Sequence, residues 1–84
     1  MSNSFAVVFT YSFADDVAVY LFDTEDDAKK FLLEAYREEL RIDTEENNFE
    51  LYGSITGDGR YAKIVNHFAD HDDITEMHLG NVYR

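Results

Sequence analysis

Only one stretch of this chain carries helical periodicity, and the segments around it alternate with the period of a strand. Ala28, Phe31, Leu32, Ala35, Tyr36 and Leu40 recur at helical spacing, while Lys30, Glu34, Arg37, Glu38 and Arg41 fall largely outside that stripe. A single amphipathic helix must bury its stripe against another layer, so the segment commits the chain to a two-layer α+β arrangement. Thr24 is the expected N-cap, with Asp27 three residues on to complete a capping box. Glu25, Asp26 and Asp27 set negative charge against the positive end of the helix dipole. Glu25–Lys29 and Asp26–Lys30 add acid-first pairs one turn apart. Arg37 and Arg41 suit the negative end, and the helix is expected to stop near Ile42.

The flanking segments supply the sheet. Phe5, Val7, Phe9, Tyr11 and Phe13 share one face of a first strand, and Ala6, Val8, Thr10 and Ser12 share the other. After the turn Ala14-Asp15-Asp16, the run Val17–Phe22 is apolar on both faces, which predicts a central strand joined to the first as a hairpin. Beyond the helix, Asp43–Asn48 reads as a polar loop. A third strand starts at Phe49, with Phe49, Leu51, Gly53 and Ile55 on its apolar face. Gly57-Asp58-Gly59 marks a tight hairpin turn, since these residues accept positive φ cheaply. Tyr61–Phe68 and Ile74–Tyr83 complete five strands around the polar turn 69–73. The expectation is one domain spanning 1–84, with ββαβββ order, an antiparallel sheet and one helix packed on one face. Its predicted core is Phe5, Phe9, Val19, Leu21, Phe31, Leu32, Ala35, Leu51, Ile55, Ile64 and Leu79.

Composition removes several functional classes. The chain has 84 residues and no cysteine, which excludes disulfides, thiolate nucleophiles and thiolate metal sites. No apolar run approaches the roughly 18 residues needed to cross a bilayer, and Met1-Ser2-Asn3-Ser4 has no basic leader character, so a cytoplasmic protein is expected. Seven Lys and Arg against 18 Asp and Glu give a net charge of −11, which opposes direct binding of nucleic acid or an anionic membrane.

The remaining chemistry-bearing residues fit no catalytic or metal template. His67 and His71 are four apart, but that spacing aligns two imidazoles only on a helix, and these fall at a strand end and in a turn. A calcium loop starting at Asp70 would place Ile74 and Thr75 where a ligand and a glycine are needed. Gly57-Asp58-Gly59 lacks the strand, lysine and helix of a phosphate loop. Nearly all the carboxylates fall in turns, in the first helical turn or on polar faces, where water keeps them ordinary. No enzyme, cofactor or metal is expected.

Charge distribution is more informative. Residues 1–28 hold six acids and no Lys or Arg, residues 42–59 five and none before Arg60, and residues 64–83 four and none. The helix is close to neutral between them. Such a surface keeps a protein soluble, and it also suits a basic partner. The candidate contacts are Asp15, Asp16, Asp26, Asp70, Asp72 and Asp73, with tyrosines nearby as anchors. Tyr11, Tyr20, Tyr52, Tyr61 and Tyr83 offer more aromatic surface than one helix hides, so the second sheet face is solvated, covered by a partner or paired in a homodimer.

Several segments resemble a known group. Asp16–Glu25, Glu39–Asn47, Tyr61–Ile64 and Asp72–Met77 look like small acidic proteins encoded on mobile elements, plasmids and phages of gut-type Gram-positive bacteria, over most of the chain from Asp16 to Tyr83. The resemblance implies a setting, conflict or transfer between element and host, rather than a chemistry. Anti-CRISPR and anti-restriction inhibitors come from that setting and share the size and charge. The expected function is therefore a non-enzymatic acidic module that binds a basic protein surface, such as a nuclease or other DNA-binding protein, as a nucleic-acid mimic. The alternative is a self-associating structural domain with no nucleic-acid-related partner.

Overall fold

A computed structural model describes residues 3–46 and 50–83. The elements are β1 (Asn3–Tyr11), β2 (Val17–Phe22), α1 (Glu25–Glu46), β3 (Glu50–Ile55), β4 (Tyr61–His67) and β5 (Asp72–Tyr83). This is the expected ββαβββ order. The strands form one five-stranded sheet in the order β2-β1-β5-β4-β3, with every neighbouring pair antiparallel. The expected strand start at Phe49 and the Asn47-Asn48 loop lie outside the described residues.

The core lies between α1 and one sheet face. Val7, Ala62, Ile64, Met77 and Leu79 of the sheet are buried against Ala28, Leu32 and Tyr36 of the helix. Phe5, Phe9, Phe22, Phe31, Ala35, Leu40, Leu51 and Ile55 close its margins. Phe31 is the hub of the β2 side, with ring centroids 4.9 Å from Tyr20, 5.0 Å from Phe22 and 6.1 Å from Phe9. On the opposite face of β1, Ser4 and Ala6 are also buried, Ala6 in register between Leu21 and Gly80.

Two polar contacts tie the helix to opposite ends of the sheet. Arg60, at the start of β4, donates to Glu25 Oε1 at 3.1 Å and to Asn81 Oδ1 at 3.3 Å. Near the other end, Asn66 Nδ2 donates to Asp43 Oδ2 at 3.1 Å. At 1.5 Å per residue, the 22-residue helix is about 33 Å long. It thus runs along the strands of a molecule measuring 49 × 24 × 18 Å.

The N-cap is as expected, with the Asp27 amide donating to Thr24 Oγ1 at 3.2 Å. The β3–β4 turn also follows expectation. Gly59 has φ +73°, and Asp58 Oδ1 accepts from Thr56 Oγ1 at 2.6 Å and from the Arg60 amide at 3.1 Å. Those two hydrogen bonds, in that order, hold the Asp58 carboxyl below its ordinary pKa.

Other expectations need correction. β2 is an edge strand, not a central one, and Val19 and Leu21 are 56% and 54% exposed instead of in the core. Ala18, Tyr20 and Phe22 share the helix-side face, whereas Val17, Val19 and Leu21 lie on a face with no second layer. The central position belongs to β5, the longest strand at 12 residues. The helix continues past Ile42 to Glu46, through residues expected to be a loop. Arg41 pairs with Glu45 at 2.9 Å across that extra turn, and Asn66 gives Asp43 a tertiary partner. β1 ends at Tyr11, two residues early, which leaves Phe13 58% exposed beside Tyr11.

Candidate functional site

The sequence offered three acidic clusters, and the fold brings two of them together. β1 and β5 are neighbours in the sheet, with Tyr11 opposite Thr75. The β1–β2 turn carrying Asp15 and Asp16 therefore sits beside the β4–β5 turn carrying Asp70, with Asp72 and Asp73 at the start of β5. Ser12 pins the two turns to each other. Its amide donates to the Ile74 carbonyl at 2.9 Å, and its Oγ accepts from the Ile74 amide at 2.8 Å. The side chain thereby extends the β1–β5 ladder beyond the last residue of β1.

Asp26 does not join this group. It lies in the first turn of α1, at the end of the sheet marked by the Arg60–Glu25 contact. Lys29 also reaches Glu25 Oε1, at 3.1 Å, so Glu25 at the helix start has two cations beside it.

The last turns of α1 add to the acidic end. Asp43 is fixed there by Asn66, and no basic residue occupies the last helical turn, where the negative end of the dipole lies. Arg41, one turn earlier, is engaged by Glu38 and Glu45. The helix also lies close enough to β1 for the charge of Glu39 to act on Tyr11. Burial first, then Glu39 and Tyr20, raise the pKa of the Tyr11 hydroxyl.

Histidines are interleaved with the turn acids. His71 Nδ1 lies 2.6 Å from Asp70 Oδ1, and its Nε2 lies 3.4 Å from Asp73 Oδ1. The Asp70 hydrogen bond is the main cause that raises the His71 pKa, opposed by desolvation and helped by the charges of Asp70, Asp73 and Asp72. The same hydrogen bond lowers the Asp70 pKa. The Phe68 ring stacks on the His71 imidazole at 4.9 Å, and the Phe68 amide donates to the His71 carbonyl at 2.9 Å, so the turn is folded back on itself. His67 Nδ1 lies 2.6 Å from Asp72 Oδ1. Among the described residues, no group of three or more His, Cys, Asp or Glu side chains is arranged to hold a metal ion.

The uncovered sheet face carries its own polar group. Tyr61 Oη donates to Glu76 Oε2 at 2.7 Å, and His78 Nε2 lies 3.6 Å from the same oxygen. The hydrogen bond to Glu76 leads the causes that raise the Tyr61 pKa. Beside this group is a shallow depression lined by Tyr52, Ser54, Lys63, Val65, His67 and Ile74. Tyr52 is 58% exposed, and Tyr20, on the helix side of β2, is 46% exposed. The aromatic surplus is thus divided between the two faces, and the Tyr83 side chain lies outside what is described.

Sequence reasoning did not identify the Ser12 link, the Asn66–Asp43 contact or the Arg60 bridge. A serine just past a strand end and an asparagine on an otherwise apolar strand face were their only signals, and both residue types are common in loops and strands. Among the described residues, no helix is long and apolar enough to cross a membrane. No family model, curated protein or solved structure matches the chain.

Proposed function

We propose that this chain is a non-enzymatic binding module whose acidic end docks on a basic protein surface, and that a protein which itself binds nucleic acid is the class of partner that fits. The observation that carries the reading is the pinned pair of turns. The turn carrying Asp15 and Asp16 lies beside the turn and strand start carrying Asp70, Asp72 and Asp73, with Ser12, just past the end of β1, bonded twice to Ile74 of β5.

Charge density sets what such mimicry requires. The accessible surface is 5622 Å², so the 18 acids would average one per about 310 Å² if spread evenly. Duplex DNA carries one charge per about 1.7 Å of axis, or roughly one per 100 Å² of its envelope. Only local clustering approaches that value. The two turns and the C-terminal end of α1 bring acids to one end of the molecule, while at the other end Lys29 and Arg60 pair with Glu25.

The test is recovery of a partner from host extract on the immobilised protein at low and at high salt. The expected result is a nuclease or another DNA-binding protein that elutes as salt rises. Reversing Asp70, Asp72 and Asp73 to Lys should slow association, most at low salt, with less effect on dissociation. Retention of the same partner by the reversed protein, with unchanged salt dependence, would reject the acidic end as the docking surface.

A further inference from the structure

We propose that the outer edge of β2 receives an extended segment of the basic partner as a sixth strand, apolar at its centre and carrying Lys or Arg at both ends. The proposal rests on the basic-partner reading above and adds where and in what conformation such a partner engages.

β2 stands at one end of the sheet order, so alternate N–H and C=O groups of Val17–Phe22 have no strand beside them. Proteins blunt such edges with charges, prolines or bulges. This edge has none of these. Its sequence is Val-Ala-Val-Tyr-Leu-Phe, and its pairing with β1 runs unbroken from Phe5↔Phe22 to Thr10↔Val17. Val17, Val19, Leu21 and Tyr20 are large, apolar and about half exposed. The other edge, β3, begins with the exposed Glu50 and has Gly53 at its centre.

Charge complementarity selects the occupant. Asp15 and Asp16 precede the uncharged run, Asp23 follows it, and Asp26 and Asp27 lie in the first turn of the helix. Asp16 and Asp23 are seven residues apart, about 23 Å along a strand. A seven- to nine-residue strand with a base at each end matches both brackets at once, and alternate side chains would lie against Val17, Val19 and Leu21 on the uncovered face.

A second copy of this chain fits poorly. Full antiparallel overlap of two β2 strands sets Asp16 opposite Asp23 at both ends, and parallel overlap sets each acid against itself. Like charges directly opposite one another destabilise a strand pair.

The peptide KKVTVTVKK, titrated into the full-length protein and followed by backbone amide shifts and hydrogen exchange, tests this. Shifts and new exchange protection are expected across Val17–Phe22. Peptide EEVTVTVEE should leave them unmoved. The Val19→Lys/Leu21→Lys and Asp16→Lys/Asp23→Lys variants, checked for an unchanged circular dichroism spectrum, should each bind about tenfold or more weakly. The proposal is overturned if the basic peptide does not bind at millimolar concentration, if its shifts centre on residues 70–73, or if light scattering shows a dimer that the Val19→Lys/Leu21→Lys variant abolishes. Loss of host-partner capture in the Asp70/Asp72/Asp73 reversal, with no peptide effect at β2, would leave the acidic-end reading standing and reject this one. The converse pattern would do the reverse.

Discussion

At the scale of single residues, two positions hold the helix at its distance from the sheet. Gly53 lies beneath the Tyr36 ring, and a Cβ built there would stand 2.5 Å from Tyr36 Oη and 3.0 Å from Leu40 Cδ1. A buried aromatic ring has little room to swing aside. Gly53→Ala should therefore lower stability by about 1–3 kcal/mol in urea unfolding. Adding Tyr36→Phe removes the nearest atom and should restore part of the loss. If Gly53→Ala is neutral, the ring is not clamped as described. Asn66 makes the second such contact. Its amide donates to Asp43 while its Oδ1 is buried without a hydrogen-bond partner among the described residues. Asn66→Asp would set one carboxylate against another, with an expected loss of about 2 kcal/mol at neutral pH. Recovery in acid, where both carboxylates are protonated, distinguishes charge repulsion from a packing defect.

The elements show why most of the fold was legible and part of it was not. Helix start, hairpin turn and strand alternation are local, and Thr24, Gly59 and the Leu51/Ile55 face all behave as their residue types require. Strand order is not local. Val17–Phe22 has the composition of a central strand, and only its partners reveal an edge. Composition near 43–46 describes a loop, but it omits the Asn66 contact that favours another helical turn. The candidate site was legible to a similar extent. The turn acids are visible as residues, while their adjacency depends on β1 pairing with β5 across the whole chain. Leu32 measures how far α1 relies on this packing. It is fully buried at the centre of the helix stripe, so Leu32→Ala should cost about 2–5 kcal/mol. Thr24→Ala should cost about 1 kcal/mol through the lost cap. A larger loss at Thr24 than at Leu32 would contradict a helix held mainly by its buried face.

At the scale of the whole molecule, a net charge of −11 makes salt act in opposite directions on folding and on binding. Screening relieves self-repulsion, so the melting temperature should rise with ionic strength, whereas association with a basic partner should slow. Parallel trends in the two would contradict this. Acidity acts through the Asp70–His71 pair. The His71 pKa is raised, so its contribution to stability is complete below the ordinary value of 6.5 and is lost as pH rises through the folded value. The Asp70 pKa is lowered, so its contribution is complete above 3.8 and is lost as pH falls through its folded value. Both contributions are therefore in place from about pH 4 to 6.5. Binding follows the charge instead. Deprotonation of His71 leaves the acidic end more negative, so association should quicken as pH rises through its pKa, with a smaller step in His71→Gln. The double hydrogen bond of Ser12 to Ile74 has a consequence in time as well as in space. Neither turn can fray without disturbing the other, so their amides should exchange with solvent as one cooperative unit. Ser12→Ala leaves only the backbone bond of the Ser12–Ile74 pair, so the exchange rates of the two turns should diverge, and the acids would then meet a partner as two less tightly related groups.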